Sequence, residues 1–362
     1  MHASSKEPLL FWIDFASYPV FLNLTVFTLA AAIVWLVGSR LSVYSAIIAH
    51  RTGLGEVFVG GLLLAVATSL PETGRTITAS LLGDAALGVN SLLGGIVMQT
   101  AILGVADLAV IRLALTYFAP RPVLLLEGTM VVLLLGFLLA GLAAGEMVEF
   151  FSVGLWTTSL FGLYIVLLIA LQTYEVREKW LPVEVPEELK QSDAAREAGW
   201  EGRGKGSLFP VALLFVLSAV VLFIVGVVLA EVGEALGAQT GLGGGFVGAT
   251  LLAFASSLPE LSTTVAAVRI GAYSMAISNI FGSNAYLLAL VFVADLFYRQ
   301  GPVLHAVGRS AVFLAAIGII TTCVYLVGLI ERRNRVILGM GIDSLAVLII
   351  YLLSLVVLYI IR

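Results

Sequence analysis

One four-residue element, Ser-Leu-Pro-Glu, occurs twice in the chain, at residues 69–72 and 257–260, each time inside a long apolar segment. Proline removes a backbone hydrogen bond from a helix, and a carboxylate is costly in hydrocarbon. The presence of both residues in the middle of two apolar segments therefore needs an explanation. Of the 23 carboxylates, only Glu72 and Glu260 lie deep within apolar segments. Paired carboxylates can neutralise a cation that has shed its water, which indicates a cation site near the middle of a membrane.

Uncharged oxygen atoms surround both glutamates in the sequence. Hydroxyl groups lie shortly before the two prolines, at Thr68, Ser69, Ser256 and Ser257. Because proline has no N–H, the carbonyls four residues before Pro71 and Pro259, at Ala67 and Ala255, also lose their helical donors. A site made only of oxygen atoms suits hard cations such as Ca²⁺ or Na⁺ rather than zinc or copper.

A second polar element lies in the apolar segment that follows each glutamate. In the second half it contains Asn279 and Asn284, which we interpret as ligands or as supports of the site. In the first half it contains Asn90 and Gln99, which we also predict as residues of the cation site, and Gly94-Gly95. Glycines let helices approach closely, so we interpret them as packing residues.

Composition identifies an integral membrane protein, with 60% hydrophobic residues, 12% charged residues and a mean hydropathy of +1.08. Long apolar runs exclude a β-barrel, whose strands would alternate over short segments. We predict an all-α polytopic membrane protein with about ten transmembrane helices. The predicted spans are 20–45, 57–80, 88–111, 122–144, 150–172, 208–230, 245–268, 273–297, 306–329 and 342–361.

The chain repeats itself. A single shift of 188 residues superposes prolines, glutamates, glycines and aspartates of the two halves: 52–55 on 240–243, 69–72 on 257–260, Gly83 on Gly271, Gly94 on Gly282, and Asp107 on Asp295. We therefore expect a first half at 20–172, a hydrophilic linker at 173–207 with room for a short helix around 187–197, and a second half at 208–361. Five spans per half is an odd number, so the two halves are inverted and the site lies at their interface.

The distribution of charge predicts the orientation, whereas the net charge of −4 says little. Lys and Arg concentrate on the side that contains the linker, which places the linker in the cytoplasm and both termini outside. Asp107, Asp295 and Glu127 lie near predicted helix ends, and we interpret them as solvated or interfacial. The single cysteine, Cys323, is interpreted as a packing residue, so no disulfide is expected.

The repeated element and the segment Ser278-Asn279-Ile280-Phe281-Gly282-Ser283-Asn284 together resemble the paired alpha-repeats of the cation/Ca²⁺ exchanger superfamily, especially prokaryotic sodium/calcium exchangers. The resemblance covers most of both halves. It implies ten helices in two inverted halves, and a prokaryotic inner membrane as location. Glu72 and Glu260 would be shared carboxylates for Ca²⁺ and for Na⁺ or H⁺ in turn, with hydroxyl ligands from Thr68, Ser69, Ser256, Ser257 and Ser283.

The first half departs from the family pattern. It has Gly94-Gly95-Ile96 where the family has Gly-Ser-Asn, so one hydroxyl and one amide are missing. Gln99 occupies a position where the family often carries Asn or Asp. Arg75 follows Glu72 by one helical turn, whereas the second half has Thr263 at the equivalent position.

From these features we expect a secondary antiporter that exchanges Ca²⁺ for Na⁺ or H⁺ by alternating access, and not an enzyme. Its partners would be small cations and the lipid bilayer, with no cofactor and no nucleic acid; the sequence specifies no oligomeric state. Coupling to H⁺ is compatible with such a site because a desolvated glutamate can lose its negative charge by taking up a proton. The alternatives are a divergent member that exchanges Na⁺ for H⁺, a non-transporting relative, a cation channel, and an intramembrane enzyme that uses two carboxylates as acid and base.

Overall fold

The chain folds into a bundle of long helices. The computed structural model describes residues 14–111, 114–119, 121–146, 148–150, 152–176, 207–239 and 255–360. Apolar runs become helices because a helix satisfies all of its backbone hydrogen bonds within one segment, as hydrocarbon requires. In chain order the helices are α1 Val20–Thr52, α2 Glu56–Thr68, α3 Leu70–Leu81, α4 Ala85–Ala106, α5 Pro122–Ala144, α6 Leu155–Val176, α7 Phe209–Gln239, α8 Leu258–Arg269, α9 Tyr273–Phe297, α10 Arg309–Glu331 and α11 Ile342–Ile360.

Short elements connect these helices. Two antiparallel hairpins pair β1 Glu149–Phe150 with β2 Val153–Gly154 and β3 Val336–Ile337 with β4 Met340–Gly341. The remaining short elements are 3₁₀ turns at Phe15–Ser17 and Val303–Ala306, a one-turn helix at Leu115–Phe118, and π-helical segments at Val59–Leu64, inside α2, and Asp107–Ile111, after α4. The hairpins precede α6 and α11, the last helix of each half.

The predicted membrane architecture is confirmed. Within the described residues, eight single helices are long and apolar enough to cross a membrane, and the bent pair of α2 and α3 makes nine if it is counted as one span. The predicted spans 122–144 and 273–297 coincide with α5 and α9, whereas α1 and α7 continue about two turns beyond the predicted ends. The predicted span 245–268 is described only from residue 255 onward, and the short helix expected around 187–197 lies outside the described residues.

The two halves contribute equivalent helices, with α4 and α9 at the centre. Helix α9 is apolar nearly all round and mostly buried, as expected for a helix enclosed by others. Helices α1 and α7 pack against each other, and each also crosses the short helix of the opposite half that carries a glutamate, α8 or α3. The bundle therefore encloses the glutamate-bearing helices between its central pair, α4 and α9, and its long pair, α1 and α7.

The contacts of α1 and α7 depend on two glycines that the 188-residue shift superposes, Gly38 and Gly226. A Cβ atom on Gly38 would lie 2.0 Å from Oγ of Ser262, and one on Gly226 would lie 2.6 Å from Cγ of Pro71. A side chain at either position would force its neighbour to move, so glycine lets each long helix closely approach the glutamate-bearing helix of the other half.

The prediction that Asp107 and Asp295 are solvated is wrong. Both side chains are 0% exposed. Asp107 accepts hydrogen bonds from the backbone N–H groups of Leu115, at 3.0 Å, and Gly341, at 3.0 Å. Position near a helix end suggested solvent, but a carboxylate can be buried when backbone donors from a loop and a hairpin enclose it.

Asp295 is held in the same way in the second half. Its carboxylate accepts from the N–H groups of Val303, at 2.6 Å, and Gly154, at 2.7 Å, and from the hydroxyl of Thr157. In both halves one donor lies eight residues after the aspartate, and the other belongs to the hairpin of the opposite half. The two halves are therefore joined reciprocally through their buried aspartates.

Candidate cation-binding site

The Ser-Leu-Pro-Glu elements form the same backbone break in both halves. Ser69 has φ −91° and ψ 10°, and Ser257 has φ −92° and ψ 5°, outside the regular helical values. In the first half the break bends α2 against α3 by 50°. The prolines follow in the first turn of α3 and α8, where a missing N–H costs nothing because that N–H has no helical partner.

Glu72 and Glu260 lie in the first turn of α3 and α8, where the helix dipole favours a negative charge. Glu260 is 0% exposed, Glu72 is half-buried, and their carboxylates are close enough to interact electrostatically. The hydroxyl of Ser69 donates a hydrogen bond of 3.3 Å to Oε1 of Glu260, and Thr68 also contacts that carboxylate. The two repeats therefore meet at their glutamates, as inverted repeats should.

Buried oxygen atoms without a hydrogen-bond partner characterise this region. Among the described residues, such atoms occur on five of the predicted site residues: Oε2 of Glu72, Oε2 of Glu260, Oε1 of Gln99, Oδ1 of Asn279 and Oδ1 of Asn284. They belong to α3, α4, α8 and α9, which pack against one another. Buried polar atoms are normally satisfied, so a group of unsatisfied acceptors and no donors is the environment that a cation completes.

The amide nitrogens fix the orientation of these acceptors. Nδ2 of Asn279 donates to the hydroxyls of Thr263, at 3.1 Å, and Thr264, at 3.3 Å. Nδ2 of Asn284 donates to the hydroxyl of Thr100, at 3.1 Å. Each asparagine thus uses its nitrogen on a threonine and leaves its oxygen for another partner.

The hydroxyls predicted as ligands lie along the break. Ser283 is buried, with its Oγ 3.5 Å from the carbonyl of Ala65, and the hydroxyl of Thr68 lies 3.1 Å from the same oxygen. Ser257 is buried at the break of the second half, and Ser256 beside it is half-buried. These positions put hydroxyls from α2, α9 and the second break around the glutamates.

Asn90 is not brought into this cluster. It lies in the second turn of α4, where its Oδ1 accepts a hydrogen bond of 3.1 Å from Ser310. Nine residues separate it from Gln99, which corresponds to about 13 Å along a helix. The repeat predicts Asn90 as part of a polar element of the cation site. Asn90 instead lies near the start of α4, away from the middle of the helix.

The prediction that Glu127 is interfacial is wrong, and its contacts were missed. Glu127 is 2% exposed, and Oγ of Ser278 lies 2.8 Å from its Oε1 and 2.6 Å from the carbonyl of Val57. A Cβ atom on Gly61 would lie 2.1 Å from the same carboxylate oxygen. The sequence signal was weak, because Glu127 lies only one turn inside its apolar run and has no counterpart in the second half.

Arg75 interacts with Glu72 without contacting it directly. It is half-buried on α3, and its charge acts electrostatically on the Glu72 carboxylate, yet no ion pair joins them in the described part of the chain. The equivalent Thr263 instead lies 2.9 Å from the carbonyl of Pro259 and 3.0 Å from that of Glu260. The two glutamates therefore differ in their electrostatic surroundings, because a positively charged side chain, Arg75, lies near Glu72 and none occupies the equivalent position near Glu260.

Across the described ranges, no group of three or more His, Cys, Asp or Glu side chains is arranged to hold a metal ion. The acidic side chains of this cluster are Glu72 and Glu260, and neutral oxygens of Gln99, Asn279 and Asn284 accompany them. Fold and site together define a helical membrane protein of two inverted repeats, each with a backbone break followed by a short helix that carries one glutamate.

Comparison with known proteins gives the family. The sodium/calcium exchanger protein family matches residues 22–170 and 210–360, and the chain belongs to it. Inner membrane protein YrbG of Escherichia coli strain K12 is 26% identical over 303 residues, which is 80% of this chain and 87% of YrbG. The family is one of exchangers rather than enzymes.

Solved structures of the sodium-calcium exchanger NCX_Mj share the fold. One, soaked with 10 mM Na⁺ and zero Ca²⁺, superposes with a TM-score of 0.66 at 16% identity, over 93% of this chain and 99% of the exchanger. Another, soaked with 2.5 mM Na⁺ and 0.1 mM Sr²⁺, gives the same TM-score, identity and coverage. The architecture of two repeats that the sequence predicts is therefore a known fold of a membrane exchanger.

Proposed function

We propose that this protein is a secondary antiporter that exchanges Ca²⁺ for Na⁺ or H⁺ at the midplane site of Glu72 and Glu260. The observation that carries the proposal is the group of five buried, unpartnered oxygens on helices of both halves. Left without a ligand, each such oxygen costs about 1–3 kcal/mol, and more where it is charged. A bound cation removes this cost, so the site is built for an occupant.

Two carboxylates in one site make exchange a competition. Their negative charges can be compensated by one divalent cation, by two monovalent cations or by protonation, and a buried site tolerates little residual charge. Ca²⁺ and the counter-ions therefore displace one another instead of binding together. The sodium-calcium exchanger NCX_Mj has been soaked with Na⁺, Ca²⁺ and Sr²⁺, which supports the same ions as first candidates here.

Alternating access would use the long helices α1 and α7. Each closely approaches the glutamate-bearing helix of the opposite half at a glycine, Gly38 or Gly226, so a movement of either long helix acts directly on that helix. The contact of α1 also includes a hydrogen bond of 2.7 Å from the hydroxyl of Ser42 to the carbonyl of Thr263. Movement of α1 and α7 together would expose the glutamates to one side and then to the other.

A monovalent exchanger, trading Na⁺ for H⁺, is the second candidate. Arg75 favours it, because a fixed positive charge next to Glu72 lowers the net charge available to a divalent ion. Gly95 and Ile96 favour it as well, since the equivalent positions in the second half are Ser283 and Asn284 and offer two more oxygens. In this alternative Glu260 would hold the transported ion.

For membrane placement, we propose an inner membrane location with the linker in the cytoplasm and both termini outside. The excess of Lys and Arg on the linker side supports this orientation. The name of the relative YrbG, an inner membrane protein, supports the location. The first half comprises residues 20–172 and the second half residues 208–361 in this proposal, and the linker between them comprises residues 173–207.

Reconstitution in liposomes tests the exchange. Ca²⁺ uptake would be followed under an imposed outward Na⁺ gradient and, separately, under a pH gradient. Glu72→Gln and Glu260→Gln remove one charge each with little change of shape, and Glu331→Gln, at an exposed glutamate outside the site, is the matched control. We expect uptake driven by one of the two gradients, retained in Glu331→Gln and abolished in both site variants.

Three other outcomes separate the alternatives. Na⁺ flux driven by a pH gradient, without Ca²⁺ uptake, would identify the monovalent exchanger. Ca²⁺ flux that needs no counter-ion would identify a channel. Absence of any gradient-driven flux in folded wild-type protein would contradict both antiporter proposals.

A further inference from the structure

The two buried aspartates, Asp107 and Asp295, lie at opposite ends of the bundle in equivalent settings, but their surroundings differ. Near Asp295 the side chains of Phe137 and Trp156 pack in a tilted arrangement with ring centroids 5.1 Å apart. The 188-residue shift carries Phe137 to Tyr325. Trp156 follows the hairpin glycine Gly154 by two residues, and Asp343 follows Gly341 by two. The aromatic pair of one end is therefore replaced by a tyrosine and a second aspartate at the other.

This replacement leaves polar atoms unsatisfied. Among the described residues, Oη of Tyr325, Oδ2 of Asp343 and Oγ of Ser344 are buried without a hydrogen-bond partner. Tyr325 is 0% exposed and close enough to interact electrostatically with both Asp107 and Asp343. Ser344, also 0% exposed, lies next to Asp107 without a well-formed hydrogen bond.

Two glycines leave the space that this cluster occupies. A Cβ atom on Gly328 would lie 2.0 Å from Oδ2 of Asp343. A Cβ atom on Gly341 would lie 2.4 Å from Oδ1 of Asp343 and 3.1 Å from Oδ2 of Asp107. Both carboxylates thus approach the same glycine of the hairpin, from helices that belong to different halves.

At the other end, Asp295 is fully satisfied by three donors and needs no second carboxylate. A second carboxylate such as Asp343 is therefore not needed for the hydrogen bonds that join the halves. Asp343 adds a second carboxylate to Asp107, so that two carboxylates, one hydroxyl and one phenol oxygen lie at this end of the bundle. These are hard oxygen donors with a surplus of negative charge.

We propose that Asp107, Asp343, Ser344 and Tyr325 form a second site, which binds one Ca²⁺ ion outside the transport pathway. Asp107 follows Gln99 by eight residues, or about 12 Å along the helical path, so this ion is not the one at the glutamates. The site lies at the end of the bundle that the charge distribution assigns to the cytoplasm. A bound ion would connect the end of α4 to α10 and α11, and so would tie the two halves together at that end.

Terbium luminescence tests this site without relying on transport. Tb³⁺ is a hard trivalent cation that replaces Ca²⁺, and it emits when a neighbouring tyrosine absorbs light. The protein would carry Glu72→Gln and Glu260→Gln, so that the midplane site is disabled, and Tb³⁺ would be titrated in detergent. We expect saturable emission that Ca²⁺ displaces.

Three single changes in that background identify the ligands. Asp343→Asn should weaken Tb³⁺ binding at least tenfold, and Ser344→Ala should weaken it severalfold. Tyr325→Phe should abolish most of the emission, while displacement of radioactive ⁴⁵Ca²⁺ by Tb³⁺ still shows an ion bound. Thermal unfolding of each variant checks that the protein is folded.

The proposal is overturned if folded protein gives no saturable emission, or if Asp343→Asn leaves the binding curve unchanged. Emission from Tb³⁺ bound to acidic residues elsewhere would fall in the second category, because Asp343 would not affect it. Either result would leave the proposed exchange at the glutamates untouched, since that is measured separately by uptake into liposomes.

Discussion

Replacing Arg75 with threonine, the residue at the equivalent position of the second half, should tighten the binding of Ca²⁺ to the midplane site. Arg75 follows Glu72 by three residues on α3, so both side chains lie on the same face, and their charges interact. Removing the arginine raises the net negative charge of the site from one to two. A divalent cation gains more from this change than a monovalent one.

The size of the effect follows from distance and exposure. Side chains three residues apart have Cβ atoms about 5–6 Å apart, which puts a cation at Glu72 about 7 Å from the guanidinium group. At an effective dielectric constant of about 20, the double charge of Ca²⁺ and the unit charge of the guanidinium group repel by about 4.7 kcal/mol at that distance. Arg75 is half-buried, and screening by solvent reduces this to about 1.4 kcal/mol, or about a tenfold change in affinity.

The assay is the concentration of external Ca²⁺ that gives half-maximal uptake in liposomes. We expect Arg75→Thr to lower it about tenfold and Arg75→Lys, which keeps the charge, to leave it within about twofold. Thr263→Arg, the reciprocal change in the second half, should raise it. An unchanged or higher value in Arg75→Thr would refute the reasoning, because the arginine would then be a support of the site and not a competing charge.

Three further changes test the packing and the ligands. Gly226→Ala puts a Cβ atom 2.6 Å from Pro71, and this overpacking should cost about 1–3 kcal/mol of stability, seen as a lower unfolding temperature that Gly136→Ala, at a glycine with open space, does not show. Asn284→Ala removes one acceptor oxygen and should raise the half-saturating Ca²⁺ concentration about tenfold; an unchanged value would remove Asn284 from the ligands. Asp295→Asn weakens three charge-assisted hydrogen bonds and should cost about 2–4 kcal/mol in thermal unfolding, with residual exchange retained; unaltered stability would contradict a role in joining the halves.

Much of the fold follows from patterns that hydrocarbon imposes. Long apolar runs marked the helices, and the repeated Pro-Glu pair marked both breaks, because proline and a carboxylate act locally on the backbone they occupy. The backbone angles at Ser69 and Ser257 agree within about 5°. The same short sequence in the same apolar setting therefore gives the same break.

What the sequence missed depends on contacts between distant residues. Asp107 and Asp295 were misjudged because their donors come from hairpins 234 and 141 residues away. Glu127 was misjudged because Ser278, 151 residues later, reaches it from another helix. The 188-residue shift carries Asn90 onto α9, a helix that is enclosed by others, but Asn90 itself is only half-buried near the start of α4. Position relative to a helix end does not determine burial where loops fold back.

The reciprocal hydrogen bonds of the buried aspartates also constrain how the protein can be made. Asp107 enters the membrane with the first half, yet its hairpin donor, Gly341, is synthesised 234 residues later. Until then the carboxylate of Asp107 lacks one of its two backbone hydrogen-bond donors. The first half is therefore an incomplete intermediate during synthesis, and neither half is expected to reach its final structure before the last hairpin of the other has been inserted.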